Sequence, residues 1–351
     1  MQSSQIKILT KKEINMTETN TQNFGKQMLA ESKYFMGYSR WMDDQDRYES
    51  WDESVERVMS MHREKYKDKM TPFLDELITF AEKAYKEKRV LGAQRALQFG
   101  GEQLMSKNAR LYNCSSSYCD RPLFFQEAMY MLLCGCGVGF SVQEHHIAKL
   151  PTVKRPTAQA EIFVVPDTIE GWADSFGVLL SSYFTESQPF PEYAGKTIHF
   201  DFSLIRPKGA MISGGFKAPG PDGLADALRK CEKLLHALTA NNDEVKLPTI
   251  TAYDFVMHMS DAVLSGGVRR SATICLFSKT DKDMLNAKTG NWFETNAQRG
   301  RSNNSVMILR DEITREEWAD IIKSVKQAGD PGFIFTDNLD FCYNPLTKLA
   351  A

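Results

Sequence analysis

From about Met105 onward, short apolar runs and stretches of helical period take turns along the chain, and this alternation restricts the fold more than any other feature. Glu161–Val165, Thr197–Phe202, Ala272–Phe277, Ser305–Leu309 and Gly332–Thr336 have the length and content of strands. Helical patterns at Ile169–Tyr183, Leu224–Leu238, Thr251–Leu264 and Arg315–Ala328 lie between many of them, and Phe124–Leu133 reads as a helix ending at Gly135. Strands alternating with helices need crossover connections, which makes this region an α/β sheet.

The N-terminal part differs. Ser50 and Glu53 have capping-box spacing, followed by Val55, Val58, Met59 and His62 on one side, and Phe73–Lys88 repeats the helical period. His62 reads as a packed histidine. This predicts a helical domain over 31–105, preceded by a polar, flexible tail over 1–30. Thr251/Asp254 and Thr314/Glu317 repeat the capping-box spacing further on. The basic residues of Lys65–Lys69 and Lys83–Arg89 are interleaved with acids and read as solvated helix faces. With a net charge of -2 there is no strong field to draw nucleic acid or a membrane surface. The chain has no apolar run long enough to span a bilayer and no secretory pattern at its start. Its seven cysteines are therefore expected as thiols in a reducing, cytoplasmic setting.

Four stretches carry candidate chemistry. Gly266-Gly267-Val268-Arg269-Arg270-Ser271 joins a helix to a strand; its glycines can turn the chain sharply, and paired arginines suit phosphate or carboxylate. Cys114 follows Asn113 in a Ser-rich segment, a polar setting that tolerates a thiolate; Cys119 reads as structural. Cys134-Gly135-Cys136 lacks the second cluster that a zinc site would need, so no metal is expected. Gly135, Gly137 and Gly139 alternate, which permits close approach of the backbone to a ligand. Asp167 or Thr168 is placed to cap the helix that follows.

Together these stretches resemble the catalytic subunit of ribonucleotide reductase. The resemblance rests on GGVRRSA at 266–272, Ile205–Gly209, Gly137–Val142, Tyr38–Trp41, Asn113-Cys114, Pro166–Trp172, Ser302–Val306 and Asp330–Gly332. The PDTIEGW-type stretch is similar to the adenosylcobalamin-dependent, monomeric class II enzymes; a class I large subunit is the runner-up. The resemblance implies a helical N-terminal domain followed, over 106–345, by the first half of a ten-stranded α/β barrel. An effector-binding insert is implied at about 143–200.

It further implies thiyl-radical reduction of ribonucleoside tri- or diphosphates, with a thioredoxin-like reductant. Cys114 would be one of two redox thiols, and Asn344 a ribose contact. Asn113, Cys136 and Gly137 would lie along the substrate. Asp167, Arg206 and Lys208 would bind a deoxynucleoside triphosphate effector, whose identity Gly266, Gly267, Arg269 and Arg270 would relay to the substrate base. The family pattern Asn-Pro-Cys-x-Glu departs here after Asn344-Pro345, where Leu346 begins a non-family tail over 346–351. The radical cysteine and the general base are thus missing, so a fragment that is inactive alone, completed by a C-terminal fragment of the same reductase, is expected. A non-catalytic nucleotide-binding or assembly fragment is the rival reading.

Overall fold

The computed structural model describes residues 11–212, 216–241, 243–264 and 272–345. Contacts divide the chain into two units, Met1–Leu111 and Tyr112–Ala351.

In the first unit, helix α1 spans Lys11–Gly37, so the expected tail is helical from residue 11. Low hydrophobicity suggested a coil there, yet the stretch has no proline and is rich in Glu, Gln, Lys and Met, which lose little freedom in a helix. Its C-terminal part is tied down at Tyr34, which hydrogen-bonds the Glu49 carbonyl (3.0 Å) and the Ser54 hydroxyl (2.7 Å). Helix α2, Trp51–Lys65, carries the full Ser50/Glu53 capping box, and α3, Pro72–Lys86, is capped by Thr71. They pack through Val55, Val58, Met59, Ile78 and Tyr85. Glu49 is buried against Arg57, which grips both carboxylate oxygens at 2.7 and 2.8 Å, and the Ser54 hydroxyl adds a third bond at 2.8 Å. The Tyr38–Trp41 stretch serves this cluster: Ser39 donates to the Glu49 carbonyl and Arg40 to that of Gln98.

The second unit runs β1 (Cys114–Tyr118), α4 (Leu123–Leu133), β2 (Gly137–Ser141), β3 (Ala158–Val164), α5 (Ile169–Tyr183), β4 (Lys196–Asp201), α6 (Asp222–Leu238), α7 (Thr249–Leu264), β5 (Thr273–Ser278), β6 (Ser302–Leu309), α8 (Arg315–Ala328) and β7 (Gly332–Thr336). Five strands form one sheet in the order β7-β6-β5-β2-β1, every pair parallel. β3 and β4 form a separate parallel pair. The central strands β2 and β5 and most of β6 are buried on both faces, which is why β5 and β6 read as apolar runs rather than alternations. Val138, Phe140, Cys275, Phe277, Val306 and Ile308 face the helices. Ile274, Leu276 and Met307 face the other way, where Leu339, Cys342 and Tyr343 pack on them.

Two sequence expectations need correction. Helix α7 starts at Thr249, and Asp254 does not cap it. Asp254 is buried in a bidentate pair with Arg299, at 2.9 and 2.8 Å, so its spacing from Thr251 has no capping role. Gly139 admits backbone closely, as expected of a strand glycine, but the backbone is the chain's own: Tyr343 and Asn344 cross it. The Thr314/Glu317 box on α8 is complete, and Thr168, not Asp167, caps α5. Within the implied insert, α5 is no appendage: Phe176, Leu179 and Leu180 belong to the main core.

Candidate functional site at the inner face of the sheet

After β7 the chain turns back and descends along the face of β1 and β2 opposite the helices, against the strand direction. Its contacts follow in order. The Gln143 amide donates to the Leu339 carbonyl at 2.8 Å, and the Tyr118 hydroxyl to that of Asp340. The Cys342 thiol donates to the Ser117 carbonyl at 3.2 Å. Tyr343 and Asn344 then cross Gly139: a β-carbon there would lie 2.9 Å from the Asn344 Cα. Finally, a β-carbon on Gly137 would meet the Cys114 Sγ at 3.0 Å and the Pro345 ring at 3.2 Å. The segment therefore delivers Asn344-Pro345 to the start of β1 and β2, where the Cys114 thiol lies.

Cys114 opens β1 opposite Gly137 and is half-buried. The Asn113 amide points at its sulfur (3.8 Å), and the Asn113 carbonyl accepts from the Gly137 N–H at 2.8 Å. Asn113, Cys114, Gly137 and Asn344 are thus brought together. Cys136 is sequestered, with its thiol directed at the Gly137 carbonyl. The remaining thiols contrast with Cys114. Cys119, Cys231 and Cys275 are fully buried, and burial raises the pKa of each. Burial also pushes Cys342 up to about 11.

Of the expected effector residues, Asp167 and Arg206 pair with each other, Nε to Oδ2 at 2.5 Å. Lys208 is exposed beside Gly220. Gly266, Gly267, Arg269 and Arg270 lie outside the described residues. The stretch leaves from the end of α7 and rejoins described chain at Ala272, whose carbonyl accepts from the Val138 N–H at 2.9 Å, next to Gly137.

Sequence reasoning missed the polar group at the opposite end of β2. His145 and His146 both direct Nε2 at the same Asp340 oxygen, at 2.8 and 3.1 Å. Burial holds His146 below the usual histidine pKa, while the hydrogen bond from His145 holds the Asp340 carboxyl below its own. The adjacent histidines were the available signal; Asp340 is too distant in the chain for spacing to connect them.

The structure defines an α/β protein with a parallel five-stranded sheet, at whose strand starts Cys114, Gly137 and Pro345 come together. The family model for the ribonucleotide reductase alpha domain matches residues 9–87. An adenosylcobalamin-dependent ribonucleoside-triphosphate reductase of Lacticaseibacillus paracasei is 27% identical, over 86% of this chain and 47% of that one. Its counterpart in Lactobacillus delbrueckii subsp. bulgaricus is 28% identical, over 89% and 48%. A crystal structure of a B12-dependent class II ribonucleotide reductase shares the fold, with a TM-score of 0.71 at 24% identity, over 88% of this chain and 49% of that one. The chain is thus similar to ribonucleotide reductases over most of its own length. It spans about half the length of the curated relatives it matches.

Proposed function

We propose that the chain supplies the nucleotide-binding and first-thiol half of a class II ribonucleotide reductase, acting on ribonucleoside triphosphates together with the remaining half of the reductase. The observation that carries this reading is the delivery of Asn344-Pro345 to Cys114 across two glycines. In the proposed reaction the ribose 2'-hydroxyl leaves as water and hydrogen takes its place. The two electrons come from Cys114 and a second thiol, which become a disulfide, and a thioredoxin-like dithiol reduces that disulfide. Asn344 would orient the ribose, and Gly137, lacking a β-carbon, lets the Cys114 thiol and Pro345 lie against the strand. Five parallel strands correspond to half of the barrel implied by the resemblance.

Adenosylcobalamin, named for the relatives, is the proposed radical source of the complete enzyme. Tyr343, Asn344 and Pro345 lie directly against Gly139 and Gly137, so the chain's own segment covers the strands at those two positions. Beside them the Asn113 amide and the Cys114 thiol offer groups of the kind that would meet a ribose. Asp167, Arg206 and Lys208 are proposed for a deoxynucleoside triphosphate effector. A phosphate would compete with Asp167 for the Arg206 guanidinium.

The test is equilibrium binding of the four deoxynucleoside triphosphates to the chain, followed by reduction assays with the complementary half added. Arg206→Ala should weaken effector binding, and Cys114→Ser should abolish multiple turnover while preserving nucleotide binding. Absence of nucleotide binding at millimolar concentrations, in a folded chain, would overturn the proposal.

A further inference from the structure

We infer that His145, His146 and Asp340 bind one divalent transition-metal ion, of the zinc, cobalt or nickel type, where the descending segment enters the sheet. The inference stands on this cluster's geometry and is independent of the nucleotide chemistry proposed above.

Two imidazole nitrogens and one carboxylate oxygen converge there, all within 4.8 Å of one another. The rings are 4.0 Å apart between centroids. Imidazole with carboxylate is the donor set that first-row divalent ions prefer, whereas magnesium and calcium take oxygen. Tetrahedral bonds of about 2.0–2.1 Å separate neighbouring ligand atoms by ~3.3 Å. The separations from the Asp340 oxygen, 2.8 and 3.1 Å, lie within a few tenths of an ångström of that value, and no separation in the group exceeds 4.8 Å. His145 and Asp340 are exposed, so the His145 ring can turn toward His146 while Asp340 adjusts with it.

The supporting groups are already in place. His146 is buried, and its Nδ1 sits 2.9 Å from the Ser141 hydroxyl, which leaves Nε2 as the ring atom that faces Asp340. The Gln143 amide holds that hydroxyl at 3.0 Å and the Leu339 carbonyl at 2.8 Å, tying the ring's support to the segment that carries Asp340. The Asp340 N–H donates to the Asn338 side chain at 2.9 Å. A second partner of this kind orients a ligand and raises its affinity for metal. The Gln143 side-chain oxygen is buried with no hydrogen-bond partner among the described residues, a spare acceptor in the same network. Exposure of His145 and Asp340 leaves one side open to water, as a three-ligand site requires. Because the ligands come from two segments, the ion would clip residues 338–345 onto the end of β2.

Titration of the chelator-treated chain with cobalt(II) should show one ion bound per chain, with visible d–d bands and no sulfur charge-transfer bands, and zinc should displace it. Asp340→Ala and His145→Ala, both at exposed positions, should each weaken cobalt binding about tenfold or more with an unchanged far-ultraviolet spectrum. Metal should slow amide exchange across 338–345 in the parent chain and not in Asp340→Ala. The inference is overturned by no binding below millimolar cobalt, by equal binding in both variants, or by a thiolate spectrum that assigns the ion to cysteines.

Discussion

Gly139 and Tyr343 occupy one another's space: any β-carbon at Gly139 would run into the Tyr343 carbonyl, so the strand must carry glycine for the descending segment to lie on it. Gly139→Ala should therefore force the segment off the sheet or strain the strand, at a cost of about 1–3 kcal/mol. Urea unfolding and limited proteolysis near residues 338–345 would detect either outcome. Unchanged stability together with unchanged proteolysis would mean that the crossing is not maintained in solution.

Burial separates the thiols into reactive and inert sets. Alkylation of the native chain at mildly alkaline pH should modify Cys114 first and Cys342 more slowly, with Cys119, Cys231 and Cys275 modified only after unfolding. Mass spectrometry of peptides from a time course would show the order. Labelling of Cys275 ahead of Cys114 would contradict the placement of both.

Asp254 should be among the costliest side chains to remove. Its loss leaves the Arg299 guanidinium largely buried without its carboxylate, an effect of about 3–5 kcal/mol for a buried pair. Asp254→Ala should lower the thermal midpoint far more than Asp261→Ala, which breaks the more exposed pair with Arg301. Calorimetry of the two variants makes the comparison.

Acid should destabilise the helical unit through Glu49. Burial works to raise the pKa of this carboxyl, but the bonds from Arg57 and Ser54 outweigh it and hold the value below 4.5. A depressed carboxylate contributes stability above its unfolded value, and that contribution disappears as pH falls through the folded one. The unit's midpoint should thus decline below about pH 4.5, and Glu49→Gln should flatten that decline. A variant with the parent's full acid dependence would assign the effect to another group.

Most helices and three of the five sheet strands were legible because their signals are local. Ser50/Glu53 and Thr314/Glu317 cap helices as their spacing implies, and Gly332–Thr336 is the strand its apolar run suggests. β1 and β2 were not legible: Cys-Ser-Ser-Ser-Tyr and Gly-Val-Gly-Phe-Ser look like loop, and they form strands because neighbours pair with them on the interior. The same limit applies to the site. Cys114 was singled out by its motif, but only the fold places it and Pro345 against the same glycine, and only the fold joins two adjacent histidines to Asp340.

The sheet order also dictates how the second unit must assemble. β1 with β2, and β5 with β6 and β7, are each linked through connections far shorter than the one between β2 and β5. These pieces can form early. The seam between β2 and β5, where Val138 faces Thr273, closes only across the whole of residues 142–272, with α5, α6 and α7 included. Such a contact carries a large entropic cost before it contributes anything, so it is the slow event. Lengthening a loop within 142–272 should slow refolding more than it reduces final stability, and chains caught before closure would expose both unpaired strand edges to one another.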